Sequence, residues 1–244
     1  MQNTSRYDMH CHMLFGVDDG ARDEGMMRAM LDMAYADGTR AICLTPHYHP
    51  GYYGDNGAQT DAAFRAASEY AAARYPDLRL ALGNELHYDG GAPEWLRSGD
   101  ARTLNGSRYV LADFHDGETA FTIERAMTQL LSLGCTPVLA HVERYRALHG
   151  KLRLVEQMMS RGVLMQLDAQ SILGDDGAGM RRMAHALLRR GMADLVASDG
   201  HDPVRRPPLL GACESLIAHK YGEENADLLF RRNPGLIWND RTVR

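Results

Sequence analysis

Residues 7–13 alternate in character, with Tyr7, Met9, Cys11 and Met13 apolar and Asp8, His10 and His12 polar between them. That two-residue period belongs to a half-buried strand. From residue 24 the period changes: Met27, Met30, Leu31 and Ala34 are spaced for one face of a helix over 24–36, and Gly38 is placed to end it. The same rhythm then recurs. Apolar runs at 41–45, 78–82, 108–114, 137–140, 163–167 and 194–197 read as strands. Helical spacing predicts helices at 61–75, 119–133, 153–161 and 180–190, and two more, 210–220 and 223–230, finish the chain. Seven strands alternating with helices imply a parallel sheet, because each crossover returns the chain to the edge it left.

The polar residues choose between an open sheet and a closed one. His10, His47, Glu85, Asp113, His141 and Asp199 each stand at or just beyond the carboxyl end of a predicted strand. In a barrel those ends form one ring around one pocket, whereas an open sheet spreads them along a line and lets only a few meet. The expected fold is therefore α/β, an irregular seven-stranded (β/α)7 TIM-like barrel. No proline-, serine- or charge-rich stretch marks a linker, so residues 1–244 are read as a single domain.

Composition narrows the partners. The chain is 45% hydrophobic and 24% charged, as for an ordinary globular protein, and its formal net charge of −5 argues against coating nucleic acid or an anionic membrane. Cys11, Cys43, Cys135 and Cys213 form no CxxC pair and are expected as free thiols in a reducing cytoplasm. Neither a signal peptide nor an apolar run long enough to span a bilayer is recognisable, so direct membrane insertion is not expected.

His10 and His12, two apart on a strand, project from one face and can grip one ion; the ordinary alternative is a solvated polar face. Asp18 and Asp19 follow in a loop that brings carboxylates within reach. His47 follows Thr45-Pro46, where the proline ends ladder pairing. Glu85, beyond Leu82-Gly83-Asn84, could bridge two ions with its two oxygens. His141, Asp199 and His201 end two further strands. Each has a bland reading as a turn or surface residue, but their convergence on strand ends of one fold predicts a metal centre. His87, His149, His185 and His219 are read as exposed or packed histidines away from that ring.

The order HxH, DDG, TPH, a glutamate after the third strand, AHVERY over 140–145, ASDGH over 197–201 and RPP over 206–208 resembles the PHP (polymerase and histidinol phosphatase) superfamily. The resemblance spans nearly the whole chain and is strongest to the bacterial tyrosine-protein phosphatases of capsule and exopolysaccharide loci. It implies a trinuclear centre. His10, His12, Glu85 and Asp199 would hold one ion; Glu85 would bridge to a second with His141 and Asp113; Asp19, His47 and His201 would hold the third. Members of that branch carry a glutamate where Asp113 stands, and His115-Asp116-Gly117 also departs from their pattern.

Phosphate monoesters carry two negative charges, so a nucleophile reaches phosphorus only when the oxygens are neutralised and held in line. Two or three divalent ions would do both, with manganese first by resemblance and iron or zinc compatible with the ligand types. Arg144 and Arg206 are the candidate phosphate clamps, since a guanidinium fork matches two phosphate oxygens. The expected activity is hydrolysis of protein phosphotyrosine, on an autophosphorylating tyrosine kinase of capsule or exopolysaccharide export. Two alternatives stand beside it: a small-molecule phosphatase, such as one for histidinol phosphate, and a silent phosphotyrosine-binding module. No residue is singled out as general acid beyond the candidates His115 and His201.

Overall fold

The computed structural model describes residues 5–54 and 56–244. Helix and strand alternate as the pattern predicts, and every paired strand runs parallel to its neighbour. The strands are β1 (Arg6–Asp8), β2 (Thr39–Leu44), β3 (His47–Tyr48), β4 (Arg79–Leu82), β5 (Glu85–His87), β6 (Tyr109–Asp113), β7 (Thr136–Leu139), β8 (Leu164–Asp168) and β9 (Leu195–Ala197). They form a three-stranded sheet ordered β1-β2-β4 and a six-stranded sheet ordered β3-β5-β6-β7-β8-β9. The protein is an α/β fold in which this parallel sheet curls around the carboxyl ends of its strands.

Two differences from the expected strands have physical causes. The runs at 41–45 and 78–82 are each followed by a second short strand, β3 and β5, after the interruptions Thr45-Pro46 and Gly83-Asn84. Proline has no N–H to give to a ladder, and Asn84 turns its amide to the Pro46 carbonyl at 3.0 Å. The first strand is also shorter than residues 7–13: beyond Asp8 the segment makes a parallel bridge between Cys11 and Gly200, and the Thr45 N–H donates to the Cys11 carbonyl at 3.0 Å. Around that bridge the Asp199 N–H donates to the His10 carbonyl at 2.9 Å and the His12 N–H to the Gly200 carbonyl at 2.8 Å. The segment carrying His10 and His12 is thereby stitched to the segment carrying Asp199.

The helices form where their caps and apolar faces agree. Asp23 accepts from the Met26 N–H at 2.8 Å to start Glu24–Ala36, and the helix buries Met27, Met30, Leu31 and Ala34. Burial of each large side chain there contributes about 1.5–3 kcal/mol. Thr119 caps Ala120–Ser132 in the same way, through the Thr122 N–H at 3.1 Å. The last predicted helix is shorter, Glu223–Asp227, and runs through a wider turn at Leu228–Arg232 into Asn233–Trp238. Three short helices, Pro50–Tyr53, Ala92–Ser98 and Ala169–Leu173, lie where no periodicity announced them. Among the described residues no helix is long and apolar enough to cross a membrane.

Candidate metal centre

The strand ends place four ligand atoms around one point. His10 Nε2 lies 3.2 Å from His12 Nε2, 3.2 Å from Glu85 Oε2 and 3.3 Å from Asp199 Oδ1. His12 Nε2 lies 3.2 Å from the same Glu85 oxygen and 3.3 Å from the same Asp199 oxygen. A regular tetrahedron with edges of that length has its centre about 2.0 Å from each corner, the bond length of nitrogen and carboxylate ligands to zinc. All four side chains are buried.

The supporting partners turn the ligand nitrogens inward. His10 Nδ1 is 3.1 Å from Gln166 Oε1, His12 Nδ1 is 2.7 Å from Asp18 Oδ2, and His201 Nδ1 is 2.8 Å from the Asp199 carbonyl. With the Nδ1 proton donated to these acceptors, each ring presents Nε2 as a lone pair. Asp18 also accepts from the His47 N–H at 3.0 Å, so one carboxylate holds two histidines in place.

Two further groups adjoin the first. His12, Asp19, His47 and His201 bring one ligand atom each within 4.8 Å of one another, and so do His47, Glu85 and Asp113. His47 Nδ1 is 3.0 Å from Glu85 Oε2, and His201 Nε2 is 3.4 Å from Asp19 Oδ1. His141 Nε2 lies 2.8 Å from Glu85 Oε1 and 3.6 Å from Asp113 Oδ1. Glu85 thus turns one oxygen to His10, His12 and His47 and the other to His141. Asp113 is fixed by three donors: the His87 ring at 2.8 Å, the Tyr145 hydroxyl at 3.0 Å and the Phe114 N–H at 2.6 Å.

Local backbone conformation serves this convergence. His141 and Asp199 have φ of 31° and 48°, a left-handed region that residues other than glycine rarely adopt. Both follow a strand by two residues, and the turn aims their side chains inward. Gly20 is required by close approach, because a Cβ there would lie 2.0 Å from the His12 carbonyl oxygen.

The field of the site favours positive charge. Burial penalises the ionised forms of Glu85 and Asp199, yet the surrounding histidines, with Arg144 beside Asp199, hold both carboxyls well below their usual range. Burial likewise opposes a charged His141, but Glu85 overrides it and lifts the imidazole to about 10. His201 goes the other way: burial and the neighbouring His12 depress it, leaving a neutral imidazole. A nitrogen and oxygen donor set without thiolate, in a carboxylate-rich pocket, fits divalent cations.

Asp19, His47, Glu85, Asp113, His141, Asp199, His201, Arg144 and Arg206 line one cleft of about 500 Å³, with His10 and His12 buried beneath. Every site residue picked from the sequence is therefore at this one place. Arg144 ion-pairs with Asp168 and Asp199 at 2.7 Å each, and Arg206 with Asp199. His87 corrects its sequence reading: it lies on β5 two residues after Glu85, contacts Asp113 and lines the cleft. His185 packs against Tyr221, in keeping with its ordinary reading. Sequence reasoning missed Gln166, Asp168 and Tyr145. Gln166 and Asp168 had a findable signal, since they repeat on β8 the two-residue polar period of His10 and His12.

The chain matches the family model for capsular polysaccharide synthesis, CpsB/CapC, over residues 6–239. It is 33% identical to the tyrosine-protein phosphatase CpsB of Streptococcus pneumoniae, over 97% of this chain and 99% of that one. With the tyrosine-protein phosphatase YwqE of Bacillus subtilis it shares 27% identity, over 92% of this chain and 91% of that one. A crystal structure from work on YwqE and CpsB of those organisms, described as unique metal-dependent tyrosine phosphatases, superposes with a TM-score of 0.89 at 26% identity, covering 98% of this chain and 96% of that one. On the extent of these matches, the chain belongs to the CpsB/CapC family of capsular polysaccharide synthesis.

Proposed function

We propose that this chain, as a single domain over residues 1–244, is a metal-dependent protein-tyrosine phosphatase. The observation that carries the reading is the set of 3.2 to 3.3 Å separations among His10, His12, Glu85 and Asp199, beside two arginines in the same cleft. The names of the Streptococcus and Bacillus relatives support tyrosine phosphate as the substrate group. The fold we propose is a closed barrel of seven staves, β2 running on through β3 and β4 through β5. The backbone bonds from Asp199 to His10 and from His12 to Gly200 would close it.

In this assignment His10, His12, Glu85 and Asp199 hold one ion, Glu85, Asp113 and His141 a second, and Asp19, His47 and His201 a third. His12 also falls within reach of the third. Mixed nitrogen and oxygen donors suit manganese, iron or zinc alike, and manganese is taken first on the family resemblance. The ions would supply a water activated near neutral pH and would neutralise the phosphoryl oxygens. The chain's own part is to hold that geometry. Arg206 and Arg144, gathered at Asp199, can turn guanidinium N–H groups toward a phosphate that displaces part of their ion pairing. His201 is occupied as a ligand, which leaves His115, exposed at the rim, as the candidate to protonate a leaving group. A tyrosine phenolate, with a pKa near ~10, needs that proton less than a serine alkoxide does.

The partner we propose is an autophosphorylating tyrosine kinase of a capsule or exopolysaccharide system, in keeping with the family description. The four free cysteines suit a cytoplasmic setting. Metal analysis of the purified protein, with turnover of a phosphotyrosine peptide and of histidinol phosphate under chelator and under added manganese, tests the reading. Two or three bound ions and chelator-sensitive peptide turnover support it. Preference for histidinol phosphate, or no activity in metal-loaded protein, overturns it.

A further inference from the structure

The cleft has two unlike sides. Arg144 and Arg206 gather at Asp199, whereas on the other side the rings of Tyr52 and His115 gather around His87. The His87 ring, bonded to Asp113, lies 4.4 Å from that of His115 and 5.7 Å from that of Tyr52. Tyr52 and His115 meet edge to face at 5.6 Å and 89°, and the Tyr52 hydroxyl is 3.0 Å from His115 Nε2. Tyr52 is nonetheless 63% exposed. An aromatic face left open on the wall of a charged cleft is suited to another ring, since aromatic pairs at such separations attract beyond their buried area. The same three rings also line a second recess of about 490 Å³, with Asp89, Arg125 and Gln129 among its polar walls. They form the partition between the candidate metal centre and that recess.

We propose that Tyr52 and His115 form the wall on which the phenyl ring of the substrate tyrosine packs, with the peptide leaving through the recess beyond. This rests on the phosphotyrosine reading and deepens it by naming the residues that select an aryl ester. With the phosphate at the metal centre, a tyrosine ester interposes a rigid ring between phosphorus and main chain. A serine or threonine ester puts an sp³ carbon there instead, leaves the rings uncovered and draws the peptide backbone down into the cleft. The aromatic wall therefore favours the aryl substrate in binding, apart from any difference in leaving group.

The test uses the metal-loaded full chain, with kinetics on a phosphotyrosine peptide, calorimetric binding of the same peptide carrying a non-hydrolysable phosphonate, and competition by inorganic phosphate. Tyr52→Ala is expected to raise both the peptide KM and the phosphonate Kd about 3- to 10-fold, while the inhibition constant of phosphate, which has no ring, stays put. Tyr52→Phe keeps the ring and loses the bond to His115, and is expected to bind as the parent does. Unchanged peptide binding in Tyr52→Ala overturns the proposal. So does an equal loss in Tyr52→Phe, which would assign the role to the hydroxyl, or a parallel rise for phosphate, which would assign it to the metal centre. Failure of the parent protein to turn over any phosphotyrosine peptide would show earlier that the functional reading itself is wrong.

Discussion

Replacing Gln166 by leucine isolates what a neutral buried side chain contributes to the proposed metal centre. Gln166 Oε1 accepts from the His141 N–H at 2.8 Å and faces His10 Nδ1 at 3.1 Å, and its amide donates to Asp168 Oδ1 at 2.7 Å. Leucine fills much of the volume but offers none of these partners. The buried His141 N–H is left unsatisfied, at about 1–3 kcal/mol, and Asp168 loses a donor worth about 1 kcal/mol more. A total of roughly 2–4 kcal/mol lowers the melting temperature of a chain this size by about 4–16 °C. The second consequence is separate. With its outer partner gone, the His10 ring is free to change tautomer and tilt, and loss of such a partner typically weakens metal binding 10- to 100-fold. Thermal unfolding in chelator reads the first effect, and manganese titration calorimetry below the melting range reads the second. Gln166→Glu keeps an acceptor for both donors, yet faces Asp168 with a second carboxyl, so it should recover metal affinity more than stability. A Gln166→Leu protein that melts lower but binds manganese within threefold of the parent would refute the claim that Gln166 orients His10.

Gly20→Ala should push the Asp18–Asp19 loop off His12, because the new methyl would lie 2.0 Å from the His12 carbonyl oxygen; metal analysis should show at least one ion fewer, with helical content retained by circular dichroism. His141→Ala should lose metal and nearly all turnover, while Arg144→Ala should keep most bound metal and lose mainly phosphate affinity, read as KM and phosphate inhibition. Because Arg144 contacts Asp199 at 2.7 Å, a modest fall in metal affinity accompanies that variant, and loss of all metal would remove its role as a phosphate clamp. Thiol titration at pH 8 should find only Cys135 reactive in the native protein and all four cysteines in denaturant. Cys11 and Cys43 are buried, with burial lifting the Cys43 thiol to about 12, and Cys213 is buried too, whereas Cys135 is partly exposed. Rapid native labelling of Cys11 or Cys43 would contradict the packing of β2 and of the segment that follows β1.

What the sequence made legible follows from which interactions are local. A polar residue at a strand end is announced by its neighbours: an apolar run fixes the strand, and the next polar residue falls at its carboxyl end. His47, Glu85, Asp113, His141 and Asp199 were all visible in that way. Pairing that depends on distant backbone was not. The stretch 9–13 has an alternating pattern, but its partner is the segment around Asp199, nearly two hundred residues on, and only one bridge forms between them. The supporting side chains were passed over for a different reason. Gln166 and Asp168 repeat at the end of β8 the polar period of His10 and His12, but that period names no partner, and the reason for their burial lies in His10, beyond β1, and Arg144, in the turn after β7. His87 was misjudged because a histidine at an unassigned position is more often packed or exposed than functional, and only the register placing it level with Asp113 shows otherwise. That register also bears on the shorter carboxylate at position 113. An aspartate reaches less far than a glutamate, but His87, Tyr145 and the Phe114 N–H together fix it within 3.6 Å of His141. Those three donors hold the short side chain in place, so the Asp113→Glu exchange should bind the proposed second ion no better than the parent unless His87 is shortened with it.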